Sequence, residues 1–232
     1  DVQLPRARRE AGEMPRSFNR VTNQVYELGS TFKPLTVAAA IDAGVITDLG
    51  RRWQSSQPVR VGGAQINDSH ALGASLNAPQ ALIHSSNIVT AQIAREVGAP
   101  RMRDYFVRLG LSRAAAIELP ARGRAYNFGE EWNPAKAMYA SFGHGIGVTP
   151  LHLASAYAAM VNGGLWRPAT LQRVEPGQAA RGQRVFQPST SARMNQLLRL
   201  IALQGTGRNA DAPGFRVGGK TGSAEKPGVG GY

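Results

Sequence analysis

The stretch Gly29-Ser30-Thr31-Phe32-Lys33-Pro34-Leu35-Thr36-Val37-Ala38-Ala39-Ala40-Ile41-Asp42-Ala43 governs how the rest of the chain is read. From residue 32 onward it has the alanine and aliphatic content of a buried helix, and Pro34 suits the first turn. With Ser30 at the helix start, Lys33 lies one turn away on the same face. A serine hydroxyl is a weak nucleophile at neutral pH and needs a base within hydrogen-bond reach. Gly29 permits a tight turn just before the serine, and the helix N-terminus aims N–H groups and the positive dipole end at it, which favours an oxyanion. Lys33 serves as a base only when neutral, a state promoted by burial and by a second cation, for which Lys220 is the candidate. Taken alone, Ser-x-x-Lys reads better as an ordinary helix start with an exposed lysine.

Two later strings change that reading. Ser85-Ser86-Asn87 falls inside a helical pattern that opens near Asn77 and Pro79 and runs to about Val97. By itself it is the polar face of a surface helix. In a reactive site, the Ser85 hydroxyl would relay protons between the two lysines, and Asn87 would hydrogen-bond Lys33 and a substrate amide. Lys220-Thr221-Gly222-Ser223 follows Gly214-Phe215-Arg216-Val217-Gly218-Gly219, whose alternation predicts a strand. Gly222 would clear room for a substrate backbone. The Ser223 N–H would join that of Ser30 in an oxyanion hole, while Lys220, Thr221 and the Ser223 hydroxyl would hold a carboxylate. Residues 214–221 also fit the phosphate-binding pattern G-x-x-x-x-G-K-[ST]. That pattern must open a helix, and GSAEKPGVGGY over 222–232 is hostile to one.

Ser-x-x-Lys, Ser-x-Asn and Lys-Thr-Gly together are the motif set of penicillin-binding proteins and class A β-lactamases. Phe18-Asn19-Arg20, Tyr26-Glu27-Leu28-Gly29-Ser30, the run Ser141 to Leu151 (SFGHGIGVTPL) and Gly205-Thr206-Gly207-Arg208 extend the match. On these residues the chain resembles the transpeptidase domain of class B penicillin-binding proteins, most similar to the division-specific, FtsI-like branch. The resemblance implies an α+β fold of the β-lactamase/transpeptidase kind: an antiparallel sheet covered by helices, with a helix-rich lobe. It implies a serine D,D-transpeptidase that cross-links peptidoglycan stem peptides ending in D-Ala-D-Ala during septal wall synthesis and is acylated by β-lactams. Ser30 would be the nucleophile and Lys33 its base, with Ser85, Asn87 and Lys220 completing the catalytic set. Thr221, Gly222 and Ser223 would bind substrate, and the backbone N–H groups of Ser30 and Ser223 would form the oxyanion hole. Neither cofactor nor metal is expected. Division-machinery membrane proteins are the expected partners, at the periplasmic face of the inner membrane.

The fourth residue of the last motif is Ser223 where the family usually has threonine; the hydroxyl survives, and little effect is expected. Residues 1–232 are expected to be the transpeptidase domain without its first and last sheet strands, with the membrane anchor and pedestal domain outside the chain. DVQLP at 1–5 resembles the end of an early strand. On its own, such a piece is expected to be poorly stable and inactive.

Composition fits this reading. At 232 residues the chain can bury one sizeable core, no run reaches the length of a membrane span, and the absence of cysteine excludes disulfides. His70, His84, His144 and His152 lack metal-ligand spacing, and a structural role is expected for His144 in its Gly-rich turn. The net charge of +12 suits anionic partners, but its arginines are scattered rather than interleaved with aromatics, so no nucleic-acid partner is expected. Helical patterns fall near 32–44, 78–97, 101–109, 135–141, 150–162 and 188–204, with Thr149-Pro150 as an N-cap pair. Residues 53–66 and 165–186 read as strands or hairpins, and residues 6–17 and 227–232 as loops.

Three rivals share the same groups. A class A β-lactamase needs a glutamate to activate water, for which Glu118 is the candidate, but it lacks the expected polar neighbours and Ser86 stands where those enzymes usually carry aspartate. A D,D-carboxypeptidase would use water in place of the acceptor amine. A β-lactam sensor would be acylated without turning over.

Overall fold

The computed structural model describes residues 19–223 except 121 and 176; the readings made for 1–18 and 224–232 lie outside them. The chain is helix-rich, as expected, and its centre is α2 (Lys33–Asp42), reached through α1 (Arg20–Asn23) and a 3₁₀ turn at Gly29–Phe32. Every residue from Lys33 to Ile41 is buried, so α2 presents no solvent face. Its alanines let neighbouring helices approach closely, and Phe32 and Leu35 fill the space between them.

Around α2 stand α3 (Ala78–Ile83), α4 (Asn87–Val97), α5 (Ala99–Arg108), α7 (Pro150–Val161) and α8 (Pro188–Gln204), with α6 (Pro134–Ala140) against α4 and α5. Thr149 caps α7 as its sequence predicts, its side chain accepting from the His152 N–H while the imidazole returns to the Thr149 N–H. The far end of α2 is tied down by Asp42, which accepts from Gln187 N at 2.6 Å, the Thr190 hydroxyl at 2.9 Å and the Tyr105 hydroxyl at 2.9 Å. One carboxylate thus joins α2, α5 and α8. Burial and this carboxylate push the Tyr105 hydroxyl up to about 12.

Among the described residues, the antiparallel strands form three two-stranded ribbons: β1 (Arg52–Gln54) with β4 (Ser75–Asn77), β2 (Val59–Val61) with β3 (Ala64–Ile66), and β5 (Leu165–Trp166) with β6 (Gln183–Arg184). The β2–β3 hairpin turns through Gly62 and Gly63, both at positive φ, as a tight two-residue connection requires.

Two expectations need correction. The single helix expected across 78–97 is broken at residues 84–86. Ser85 adopts φ 61°, and Ser86 becomes the N-cap of α4, accepting from Val89 N at 3.1 Å. Short hydroxyl side chains compete with the helix ladder in this way. The strand expected before Lys220 is not formed: Gly219 N donates to Leu198 O at 3.2 Å and Arg199 to Val217 O at 2.8 Å. The segment lies along α8, and among the described residues no neighbouring strand gives it a ladder.

Candidate active site

Ser30 sits in the 3₁₀ turn and Lys33 opens α2, so the three-residue spacing places the Lys33 amine 2.9 Å from Ser30 Oγ. The turn is fixed from both sides. Tyr26 and Val148 exchange backbone hydrogen bonds at 2.9 Å, and the Thr31 hydroxyl donates to Leu28 O at 2.8 Å. Gly29 has φ +53°, and a Cβ there would stand 2.1 Å from Ser223 O. Only glycine fits between the serine turn and the 220–223 segment.

The Lys33 amine also reaches the Ser85 carbonyl at 2.5 Å and the Ser85 hydroxyl at 3.0 Å. It is fully buried. Burial first, and then the Lys220 ammonium, bring Lys33 down from 10.5 to about 7, with Asp68 opposing. A neutral amine keeps two N–H donors for the two Ser85 oxygens and a lone pair for the Ser30 hydroxyl proton. Lys220 approaches from the other side, 2.9 Å from Ser85 Oγ, and burial lowers it to about 8. The Ser85 hydroxyl is therefore bracketed by both amines. Its left-handed backbone, which costs on the order of 1 kcal/mol for a non-glycine residue, points the hydroxyl there.

Asn87 is placed differently from expectation. Its side-chain amide donates to Asn67 O at 3.0 Å and makes no hydrogen bond to Lys33, although Asn87 does line the cleft. What holds this turn is Asp68, which the sequence reading missed. Its carboxylate accepts from the Ser86 hydroxyl at 2.7 Å, Asn87 N at 2.5 Å and Ile88 N at 3.1 Å. An acidic side chain at the N-terminus of α4 complements the helix dipole and the orphan N–H groups there. A turn residue 18 positions before Ser86 leaves no periodic signature by which it could be found.

In the third segment, the Thr221 hydroxyl lies 2.6 Å from that of Thr206. Gly222 proves to be a packing residue: a Cβ there would meet Thr31 Cγ2 at 2.7 Å and Leu28 O at 2.8 Å, on the side of the serine turn and not of the cleft. The missing side chain lets the segment lie against the nucleophile's own turn. Among the described residues, the N–H groups of Ser30 and Ser223 donate to no acceptor.

Ser30, Ser85, Asn87, Thr221 and Ser223 all line one cleft of about 550 Å³, whose lining also includes Glu27, Phe142 and His144. Glu118 lies elsewhere, accepting from the Thr170 hydroxyl and from Leu171 N at 3.0 Å on an exposed loop. Those bonds hold its carboxyl below the usual carboxylate range, and nothing places it to activate water at Ser30.

The family described as penicillin binding protein transpeptidase domain matches residues 5–232. The chain is 42% identical over 212 residues to a probable peptidoglycan D,D-transpeptidase FtsI of Caulobacter vibrioides, covering 90% of this chain and 36% of that protein. It is 33% identical over 212 residues to the peptidoglycan D,D-transpeptidase FtsI of Escherichia coli K12, covering 90% of this chain and 35% of that protein. The chain thus spans about a third of the length of the curated relatives it matches. The apo transpeptidase domain of Burkholderia pseudomallei penicillin-binding protein 3 superimposes with a TM-score of 0.85 at 32% identity, covering 94% of this chain and 66% of that one.

Proposed function

The chain belongs to the penicillin-binding protein transpeptidase domain family, and from that premise we propose that it carries the reactive site of a peptidoglycan D,D-transpeptidase acting in septal wall synthesis. The observation that carries the reading is the Ser30–Lys33–Ser85–Lys220 chain, with contacts of 2.9, 3.0 and 2.9 Å and one amine brought to about 7. Neutral Lys33 takes the Ser30 proton as Oγ attacks the carbonyl of the penultimate D-alanine of a stem peptide. The N–H groups of Ser30 and Ser223, free of acceptors among the described residues, stabilise the oxyanion. The proton then passes by way of Lys33 and the Ser85 hydroxyl to the departing D-alanine, leaving an ester on Ser30. Lys220 and the hydroxyls of Thr221 and Ser223 hold the terminal carboxylate, and Asn87 meets the substrate amide from the cleft wall. A β-lactam enters by the same first step.

In this reading, residues 1–232 form the transpeptidase domain. The site faces the periplasm, and division-machinery membrane proteins dock on the whole protein. To test it, the full-length protein is given disaccharide pentapeptide and its products are separated by mass. Peptide dimers formed with release of D-alanine are expected. Release without dimers would make the protein a carboxypeptidase, and a lasting adduct without product a sensor.

A further inference from the structure

Two lysines meet at Ser85 beside the nucleophile, yet a cross-linking reaction must bring a further cation to Ser30. The acceptor is a primary amine, carried as an ammonium at neutral pH because its pKa resembles that of lysine. Resting on the transpeptidase reading, we infer that Glu27 and His144 form the subsite that binds this acceptor ammonium and removes its first proton.

Among the described residues that line the cleft, Glu27 is the only carboxylate. It lies three positions before Ser30, held by the Tyr26–Val148 bridge. Its Oε2 accepts from Gly145 N at 3.2 Å and stands 3.4 Å from His144 Nδ1, while among the described residues Oε1 accepts no hydrogen bond. The glycine turn that carries His144 cannot drift from the nucleophile: a Cβ on Gly143 would be 2.2 Å from Gly29 O. The Glu27 side chain is 24% exposed and that of His144 54%, so both are open to a ligand in the cleft. Lys33 and Lys220 meet at Ser85 instead, and the carboxylate acting on Lys33 is Asp68. The amines that suit the donor's carboxylate thus converge on Ser85, while the cleft's lining itself carries one carboxylate, which suits an amine. Water as acceptor would need no such carboxylate.

The step balances. The Glu27 carboxylate pairs with the ammonium, and the His144 imidazole accepts one proton. The freed amine attacks the ester carbon, forming a C–N bond as the C–Oγ bond to Ser30 breaks. Its second proton goes to neutral Lys33, which returns it to Ser30 Oγ.

The test uses the full-length protein, a D-alanyl thioester donor and the ε-amine of Nα-acetyl-lysine amide as acceptor, with amide and hydrolysis products measured together. Glu27→Gln keeps an acceptor for Gly145 N and removes the charge. It should acylate with penicillin within about twofold of wild type, while the KM for the amine rises and the amide-to-hydrolysis ratio falls about tenfold. His144→Gln should lower the transfer rate at saturating amine and leave that KM unchanged. An unchanged ratio and KM in Glu27→Gln would place the acceptor elsewhere. Loss of penicillin acylation in that variant would also overturn the inference, by making Glu27 a brace for the 143–145 turn. If wild-type protein makes no amide at all, the transpeptidase reading itself fails.

Discussion

A pH profile of acylation in wild-type protein and in Lys220→Met probes both amines of the site at once. Reaction requires Lys33 neutral, to accept the Ser30 proton, and Lys220 charged, to hold the ligand carboxylate. With values of about 7 and about 8, that form makes up about 0.6 of the protein at pH 7.5, about 0.09 at pH 6 and about 0.01 at pH 5. The second-order rate constant should therefore peak near pH 7.5, fall about sevenfold by pH 6 and about sixtyfold by pH 5, and fall about sevenfold again by pH 9. Fluorescent penicillin measures it directly, since the probe's carboxylate stays ionised across this range. Lys220→Met removes a cation that lowers Lys33, so the Lys33 value rises. The variant's acid limb should move to higher pH and its alkaline limb should vanish, on top of a lower plateau. An acid limb that stays in place, or moves to lower pH, would refute the claim that Lys33 is the base and that Lys220 acts on it.

Lys33 also bears on stability. Its folded value lies below its unfolded one, so its cost to the fold is absent above pH 10.5, grows as pH falls and is complete below about 7, where it reaches about 5 kcal/mol. Lys33→Met removes that cost but leaves the Ser30 hydroxyl and the Ser85 carbonyl without a partner, at about 1 kcal/mol each, while Ser85 Oγ keeps Lys220. A net gain of about 3 kcal/mol in thermal unfolding at pH 6.5 is expected, with acylation abolished; a lowered melting temperature would contradict it. Asp68→Asn loses an anionic acceptor at the Ser86–Asn87 turn, so stability should drop by about 1–3 kcal/mol and acylation about tenfold. Because Asp68 raises Lys33, the acid limb of that variant should shift to lower pH, which the same penicillin assay reads. Gly29→Ala forces a methyl against Ser223 O, and its acylation should fall by about two orders of magnitude while the far-UV spectrum stays native.

How much of this was legible in the sequence follows from the range of each interaction. Ser30 and Lys33 were found because a three-residue spacing and Pro34 are local facts, and the Thr149 cap likewise. The Ser85–Asn87 string was visible as a motif but not as a break. The left-handed turn depends on a carboxylate 18 residues earlier, and on a Ser86 side chain that could equally have faced solvent. The alternation before Lys220 suggested a strand, yet alternation fixes which side chains share a face, not which backbone pairs with which. Leu198 and Arg199 of α8 supply the contacts instead. Gly222 was expected to make room for a ligand and instead makes room for Thr31, since the direction of an absent side chain is a tertiary property. Glu27 and His144 lie far apart in the chain and are brought together by the Tyr26–Val148 bridge and the packing of Gly143 on Gly29, which are tertiary contacts.

Ser30 Oγ is the atom expected to be acylated. Digestion of penicillin-treated protein, followed by mass mapping of the adduct, tests it most directly. One added mass on the peptide bearing Ser30, absent from Ser30→Ala, is the predicted result; stoichiometric adduct on Ser85, Thr221 or Ser223, or labelling that persists in Ser30→Ala, would contradict it.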